Sequence, residues 1–199
     1  MIHVIVSLLL VATIPDGKSE FTDHQLVHQA LFNCGSVRDV EKVDQPFLYW
    51  MLDRERHFGV PESLRGLSLA AACNESGFNP DARGDWTRYK SRRGKYRRYA
   101  RARGIMQLWP WWISKYNINR HDPHQNVNAW LLHMKERLDK TVAKRCPKRW
   151  SEKKRWIAAW VQTTRGRAHA SNRYRCYQRP SHLKILRRWY RRMRKNEQN

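Results

Sequence analysis

A mainly α-helical fold, carrying a basic insert and a basic C-terminal helix, is predicted by three observations on this chain. Apolar residues recur at spacings of three and four through successive windows, the period of one helix face. Residues suited to a helix start, Asp44, Pro61 and Ser151, stand at the heads of three such windows. No convincing alternation of period two appears, so long strands are not expected.

Taken in order, residues 2–14 form an apolar run bounded by Pro15. A bilayer span needs about 20 residues, so the run suits the apolar region of a secretory signal instead. Gly17 and Ser19 place small residues where cleavage would occur. Residues 1–19 are therefore read as a signal peptide, with a mature, exported chain from Glu20 in the periplasm or outside the cell. Residues 20–60 are read as an N-terminal helical segment packing on the domain that begins at Pro61; in it Phe47, Leu48, Met51, Leu52 and Phe58 trace one stripe behind Asp44. Pro61 opens a helix expected over 61–74, with Leu64, Leu67 and Ala71 inward and Glu75 at its end. Residues 82–103 then interrupt the helical pattern with ten Lys or Arg against one acid, Asp85, and with Trp86, Tyr89, Tyr96 and Tyr99 among them. Such a segment is a mobile loop, a short hairpin or simply a solvated charge run. His121 and His124 bracket Asp122-Pro123 and read as loop residues, with Asp122 as a helix cap. Val127, Leu131, Met134 and Leu138 mark the next helix, and Trp156, Ala159 and Trp160 the inward side of the one after Ser151. A last helix over 181–195 aligns Leu183, Leu186, Tyr190 and Met193, while its Trp189 and arginines suit a membrane surface.

At 199 residues the chain is sized for one domain plus extensions, and its ten tryptophans, eight tyrosines and five phenylalanines supply a core. Forty Lys and Arg against 17 Asp and Glu give +23. A field of that size draws any polyanion: nucleic acid without sequence preference, anionic lipid, teichoic acid or cell wall. Cys34, Cys73, Cys146 and Cys176 lack zinc-site spacing and fit an oxidising compartment; their three possible pairings stay open, as do free thiols. No tight ligand set occurs among the nine histidines, so no metal and no cofactor are expected.

Two stretches carry the chemistry. Asn74-Glu75-Ser76-Gly77-Phe78-Asn79-Pro80 sets a carboxylate at a helix end before a turn, and Gly104-Ile105-Met106-Gln107-Leu108 follows after the basic segment. Glu suits general-acid work on a glycosidic oxygen because burial can tune such a group toward neutrality. Together with Asp122-Pro123-His124-Gln125-Asn126-Val127, these motifs resemble the soluble lytic transglycosylase (SLT) domain, a lysozyme-like relative of goose-type lysozyme. The resemblance spans residues 60–168; residues 61–170 are taken as its catalytic domain and 171–199 as a basic C-terminal extension. Where the family shows Ala-Tyr-Asn-x-Gly, this chain has Ala159-Trp160-Val161-Gln162-Thr163, so Trp160 replaces a Tyr that lines the family's active site.

The resemblance implies a peptidoglycan-degrading lyase that cleaves the β-1,4 bond between N-acetylmuramic acid and N-acetylglucosamine and closes a 1,6-anhydro ring. It implies Glu75 as acid and then base, Ser76 as an orienting or capping residue, Gln107 as a glycan ligand, and Met106 as a residue beneath the saccharide or in the core. Trp160 would stack on a sugar or pack inside, and one of Trp109, Trp111 and Trp112 could form a sugar platform. The partner would be a glycan strand, engaged by a monomer, in wall opened for a secretion or conjugation apparatus or for a phage. A hydrolytic muramidase of the inverting kind would need a second carboxylate, for which Asp81 and Asp85 are the nearest in sequence. The contrasting expectation is a degenerate lysozyme-like protein that binds nucleic acid or the anionic envelope.

Overall fold

The computed structural model describes residues 21–90, 93–164, 176 and 182–198. In order they form α1 (Asp23–Asn33), α2 (Gln45–His57), α3 (Leu67–Ser76), β1 (Arg83–Lys90), β2 (Tyr96–Arg103), α4 (Trp111–Tyr116), α5 (Pro123–Arg137), α6 (Ala143–Arg145), α7 (Glu152–Thr164) and α8 (His182–Glu197). A π-helical turn, Leu138–Val142, joins α5 to α6. The expected secretory segment lies outside the described residues, as does most of 165–181. Among the described residues, no helix is long and apolar enough to cross a membrane.

Every residue from Leu67 to Cys73 is buried, so α3 is covered on all sides and forms the axis of the fold. Helices α1, α2 and α8 pack directly on it, and α5 bridges α2 to α7. The start of α3 lies later than sequence spacing predicts. Residues Glu62–Leu64 form a separate 3-10 turn, and Gly66 takes a left-handed φ of 83° before Leu67 begins the helix. A side chain there would be strained and would crowd Leu26, which only glycine avoids. Gly66 supplies no capping side chain. The cap comes from α2: the buried Glu55 carboxylate accepts the Gly66 N–H at 2.7 Å, and the Ser68 N–H and hydroxyl at 2.6 Å each. An acidic group there also complements the positive end of the helix dipole. Burial pushes the Glu55 carboxyl up to about 7, against the pull of the Ser68 donors and of Arg65.

Arg65, itself buried, donates to both Asp23 carboxylate oxygens and to the Leu52 carbonyl. Its own carbonyl accepts the Tyr190 hydroxyl of α8 at 2.6 Å. The junction before α3 is thus held from α1, α2 and α8 together.

Asp44 and Asp122 cap α2 and α5 as expected, accepting the N–H groups of Phe47 and Gln125. His124 is not a loop residue: it lies in the first turn of α5, with its ring 4.4 Å from that of Trp50. Leu183, Leu186 and Met193 of α8 are buried as the stripe predicts. Trp189 belongs with them at 0% exposure, a correction to its reading as a membrane-facing residue. It stands three positions after Leu186, which sets it on the inward face whatever charges flank it.

The basic segment is a two-stranded antiparallel hairpin. The strands are longer than the sequence suggests, because the outer half of the ribbon is exposed on both faces and its buried base carries only Ala100 and Ala102, too small to display an apolar alternation. Two disulfides resolve the cysteine pairing: Cys34–Cys73 and Cys146–Cys176. The first fastens the end of α1 to the last turns of α3.

Candidate active site

Glu75 occupies the last turn of α3, partly buried, and Gly77 ends that helix in a left-handed conformation. Ser76 beside it donates its hydroxyl to the Ala72 carbonyl at 3.2 Å and to the Ile105 carbonyl at 2.9 Å. The second of these bonds joins the end of α3 to the turn over residues 104–107. The two motifs that lie 28 residues apart in the chain, at Ser76 and Gly104, therefore meet in space.

The turn is built from three sides. Gly104, at φ 79°, could not be any other residue: a Cβ would stand 2.3 Å from Asn126 Nδ2 and 2.4 Å from the Arg120 carbonyl. Asn126, fully buried on α5, accepts the Met106 N–H at 2.9 Å and donates to the carbonyls of Arg120 at 2.9 Å and Arg103 at 3.3 Å. The third motif thus caps its own helix with Asp122 and clasps the second motif with Asn126. Gln107 closes the turn in a left-handed conformation, φ 49°. Its side-chain amide donates to the carbonyls of Ala82 at 3.1 Å and Gly104 at 2.9 Å. Partly exposed and pinned at its nitrogen, Gln107 keeps its carbonyl oxygen as the free acceptor end of the amide, toward Gly84.

The remaining expected residues lie elsewhere. Met106 is 3% exposed and belongs to the core, the alternative its sequence position allowed. Trp160 is fully buried on α7, edge-on to Trp130 of α5 at 6.2 Å between ring centres. Neither side chain presents a face to a polymer. Of the tryptophan cluster, Trp112 is buried and Trp109 and Trp111 are exposed. Trp109 donates its indole N–H to Asp85 at 2.7 Å, with the Arg101 guanidinium 5.1 Å from the ring centre. Asp85 therefore serves as an acceptor that fixes Trp109, and Asp81 stands on an exposed turn. Among the described residues, no group of three His, Cys, Asp or Glu could hold a metal ion.

Sequence reading missed Glu55 and Asn126 as positioning residues. Asn126 carried a signal, its place in a recognised motif; Glu55 carried none, since its partners begin eleven residues on, at Gly66.

No curated protein and no solved structure matches the chain significantly. The family described as the transglycosylase SLT domain matches residues 55–161, and so takes in α3, the hairpin, the 104–107 turn, α5 and most of α7. More than half of the chain is covered by that match, and the chain belongs to the transglycosylase SLT domain family, whose lysozyme-like fold carries peptidoglycan-degrading activity of the lytic-transglycosylase type.

Proposed function

We propose that this protein is a lytic transglycosylase that cleaves the β-1,4 bond between N-acetylmuramic acid and N-acetylglucosamine, with Glu75 as its one catalytic carboxylate. The observation that carries the reading is the Ser76 hydroxyl bond to the Ile105 carbonyl, which holds the Glu75 helix end against the turn bearing Gln107.

In this reading Glu75 gives its proton to the glycosidic oxygen as that bond breaks and positive charge builds on the muramic acid. The neighbouring N-acetyl group supports that charge, as the family's mechanism implies. Glu75, now a carboxylate, takes the proton of the muramic acid 6-hydroxyl while that oxygen bonds to its own anomeric carbon. The products are an N-acetylglucosamine end with a new hydroxyl and a 1,6-anhydro muramic acid; no water is consumed and Glu75 ends protonated. Ser76 is a positioning residue, and the free oxygen of Gln107 is the glycan acceptor. Met106 and Trp160 contribute packing alone.

Digestion of purified peptidoglycan, with products identified by mass spectrometry, tests this directly. Anhydro products lighter by one water are expected from the native chain, and Glu75→Gln is expected to lose about 10²–10⁴-fold in rate, the usual contribution of a positioned acid. Reducing-end products would identify a hydrolase, and undiminished cleavage by Glu75→Gln would remove Glu75 from the chemistry.

A further inference from the structure

One face of the β1–β2 hairpin takes no part in this chemistry. In the ladder Gly84 lies opposite Ala102, Trp86 opposite Ala100, Arg88 opposite Arg98 and Lys90 opposite Tyr96. Positions two apart along a strand share a side, so these pairs stack along a single face. Its base is small and closed: Ala100 and Ala102 are buried, and a Cβ on Gly84 would stand 2.3 Å from the Gln107 Oε1. Its outer half is large and solvated, with Trp86 50% and Tyr96 66% exposed. There the Arg98 guanidinium lies over Trp86, 5.7 Å from the ring centre, and that of Arg88 over Tyr96 at 5.3 Å. These four side chains line one concave pocket.

The charge arrangement in that pocket opposes folding. Like charges directly across a ladder are destabilising, and Arg88 and Arg98 are such a pair. Among the described residues neither has a carboxylate partner, and the hairpin's one acid, Asp85, is engaged with Trp109. Two guanidiniums braced on aromatic rings, without a counter-ion, offer the forked donors that fit a carboxylate or phosphate. The rings beside them offer flat faces.

Position selects the occupant. The hairpin runs directly into the 104–107 turn, and the face in question ends on Gln107, the proposed glycan acceptor. A strand lying across Gln107 continues onto this face, and the Arg88–Arg98 level stands about 13 Å beyond Gly84 at the rise of a β-strand. In peptidoglycan the anionic groups along a glycan strand are the carboxylates of its stem peptides. Resting on the function proposed above, we propose that this face is an outer subsite of the glycan groove, in which Arg88 and Arg98 hold a stem-peptide carboxylate. The protein then engages peptide-bearing strands in preference to bare glycan.

The test is binding to immobilised glycan strands, with and without their peptides, by the full chain carrying Glu75→Gln so that nothing is cut. Peptide-bearing strands are expected to bind about tenfold more tightly, the worth of one charge-assisted pair. Adding Arg88→Gln with Arg98→Gln should collapse that ratio to one; both sites are exposed, and circular dichroism checks that the fold is kept. Arg88→Lys with Arg98→Lys keeps the charge without the fork and should retain only part of the ratio. Equal binding of the two strand types overturns the proposal, and so does discrimination that survives the glutamine pair. A single-stranded oligonucleotide that binds more tightly than either strand would identify the face as a phosphate-polymer surface instead. Cleavage by the Glu75 protein is scored separately. Discrimination without cleavage would sink the catalytic reading alone, and cleavage without discrimination would sink this one alone.

Discussion

Removing the Asn126 side chain should damage both the fold and the site. Asn126→Ala withdraws the acceptor of the Met106 N–H and the donor to the Arg120 and Arg103 carbonyls. The Arg103 carbonyl keeps the Leu108 N–H at 2.8 Å, so its loss is small. The Met106 N–H and the Arg120 carbonyl are left without the side chain that served them, in a place where Asn126 was 0% exposed. A buried polar group deprived of its partner costs about 1–3 kcal/mol, which for two such groups gives about 2–6 kcal/mol. A water admitted to the space would recover some of that, so about 3 kcal/mol is expected. For a chain of this size the loss corresponds to a Tm lower by about 6–12 °C. Asn126→Asp separates packing from polarity. It keeps the acceptor for Met106 but turns an oxygen toward two carbonyls, so it should destabilise at least as much as alanine does. Activity should fall by about 10²-fold in both variants, because the Gln107 turn loses its anchor. Thermal unfolding read alongside peptidoglycan digestion measures both effects. An Asn126→Ala protein that melts with the wild type and digests at its rate would refute the clasp.

Two further effects arise from burial and covalent linkage. Burial, with Lys115 and Arg137 close by, holds the His133 imidazole neutral down to about 3. The unfolded chain protonates it near the ordinary value of about 6.5, so between these pH values the unfolded state binds the extra proton. The stability that neutral His133 contributes is therefore full above about 6.5 and is lost as the pH falls toward 3, by up to about 1.4 kcal/mol per unit. Buried Glu55, held up to about 7, acts in the opposite sense between about 4.5 and 7. The His133 part is therefore read as the difference between the native chain and His133→Gln in urea unfolding at pH 7, 5 and 4. The native chain should lose ground against the variant as the pH falls, and a difference that stays constant would exclude His133. Opening Cys34–Cys73, which closes a separation of 39 residues, should cost about 4 kcal/mol by the loop-entropy relation. Cys146–Cys176, across 30 residues, should cost slightly less. Melting of Cys34→Ser with Cys73→Ser beside Cys146→Ser with Cys176→Ser checks both the size and the order.

Local signals placed α2, α5 and α8, because stripes such as Val127, Leu131, Met134 and a cap such as Asp122 lie within a few residues of what they specify. The start of α3 was not legible. Its cap is a carboxylate on another helix, and no window that contains Gly66 and Leu67 alone reveals Glu55. A hairpin was one of the readings open for the basic segment, and the sequence could not choose it: strands are recognised by an apolar face, and here Trp86, Arg88 and Arg98 on one side match Tyr89, Arg97 and Tyr99 on the other in exposure. At the candidate site, Glu75 and Gln107 were singled out through their motifs. Spacing had already set Trp160 on the inward side of its helix, where it is buried, whereas the burial of Met106 depends on what α5 and the turn place over it, which sequence spacing does not encode. Trp189 misled because its arginine neighbours read as an interfacial belt, although its spacing from Leu186 already assigned it inward.

The burial of α3 on every side has a practical consequence for mutational mapping. A random library scored for lost activity will return Leu67 to Cys73 in abundance, and nearly all of those variants will be folding failures. In the proposed mechanism the residues that report on chemistry form a narrow band at the end of the helix, Glu75 and Ser76, bordered by positions that kill for unrelated reasons. Selection on soluble yield before selection on activity would separate the two populations. The ten-residue helix would then split into a scaffold of seven buried positions, Leu67 to Cys73, and a tip of three, exposed Asn74 and the proposed site residues Glu75 and Ser76.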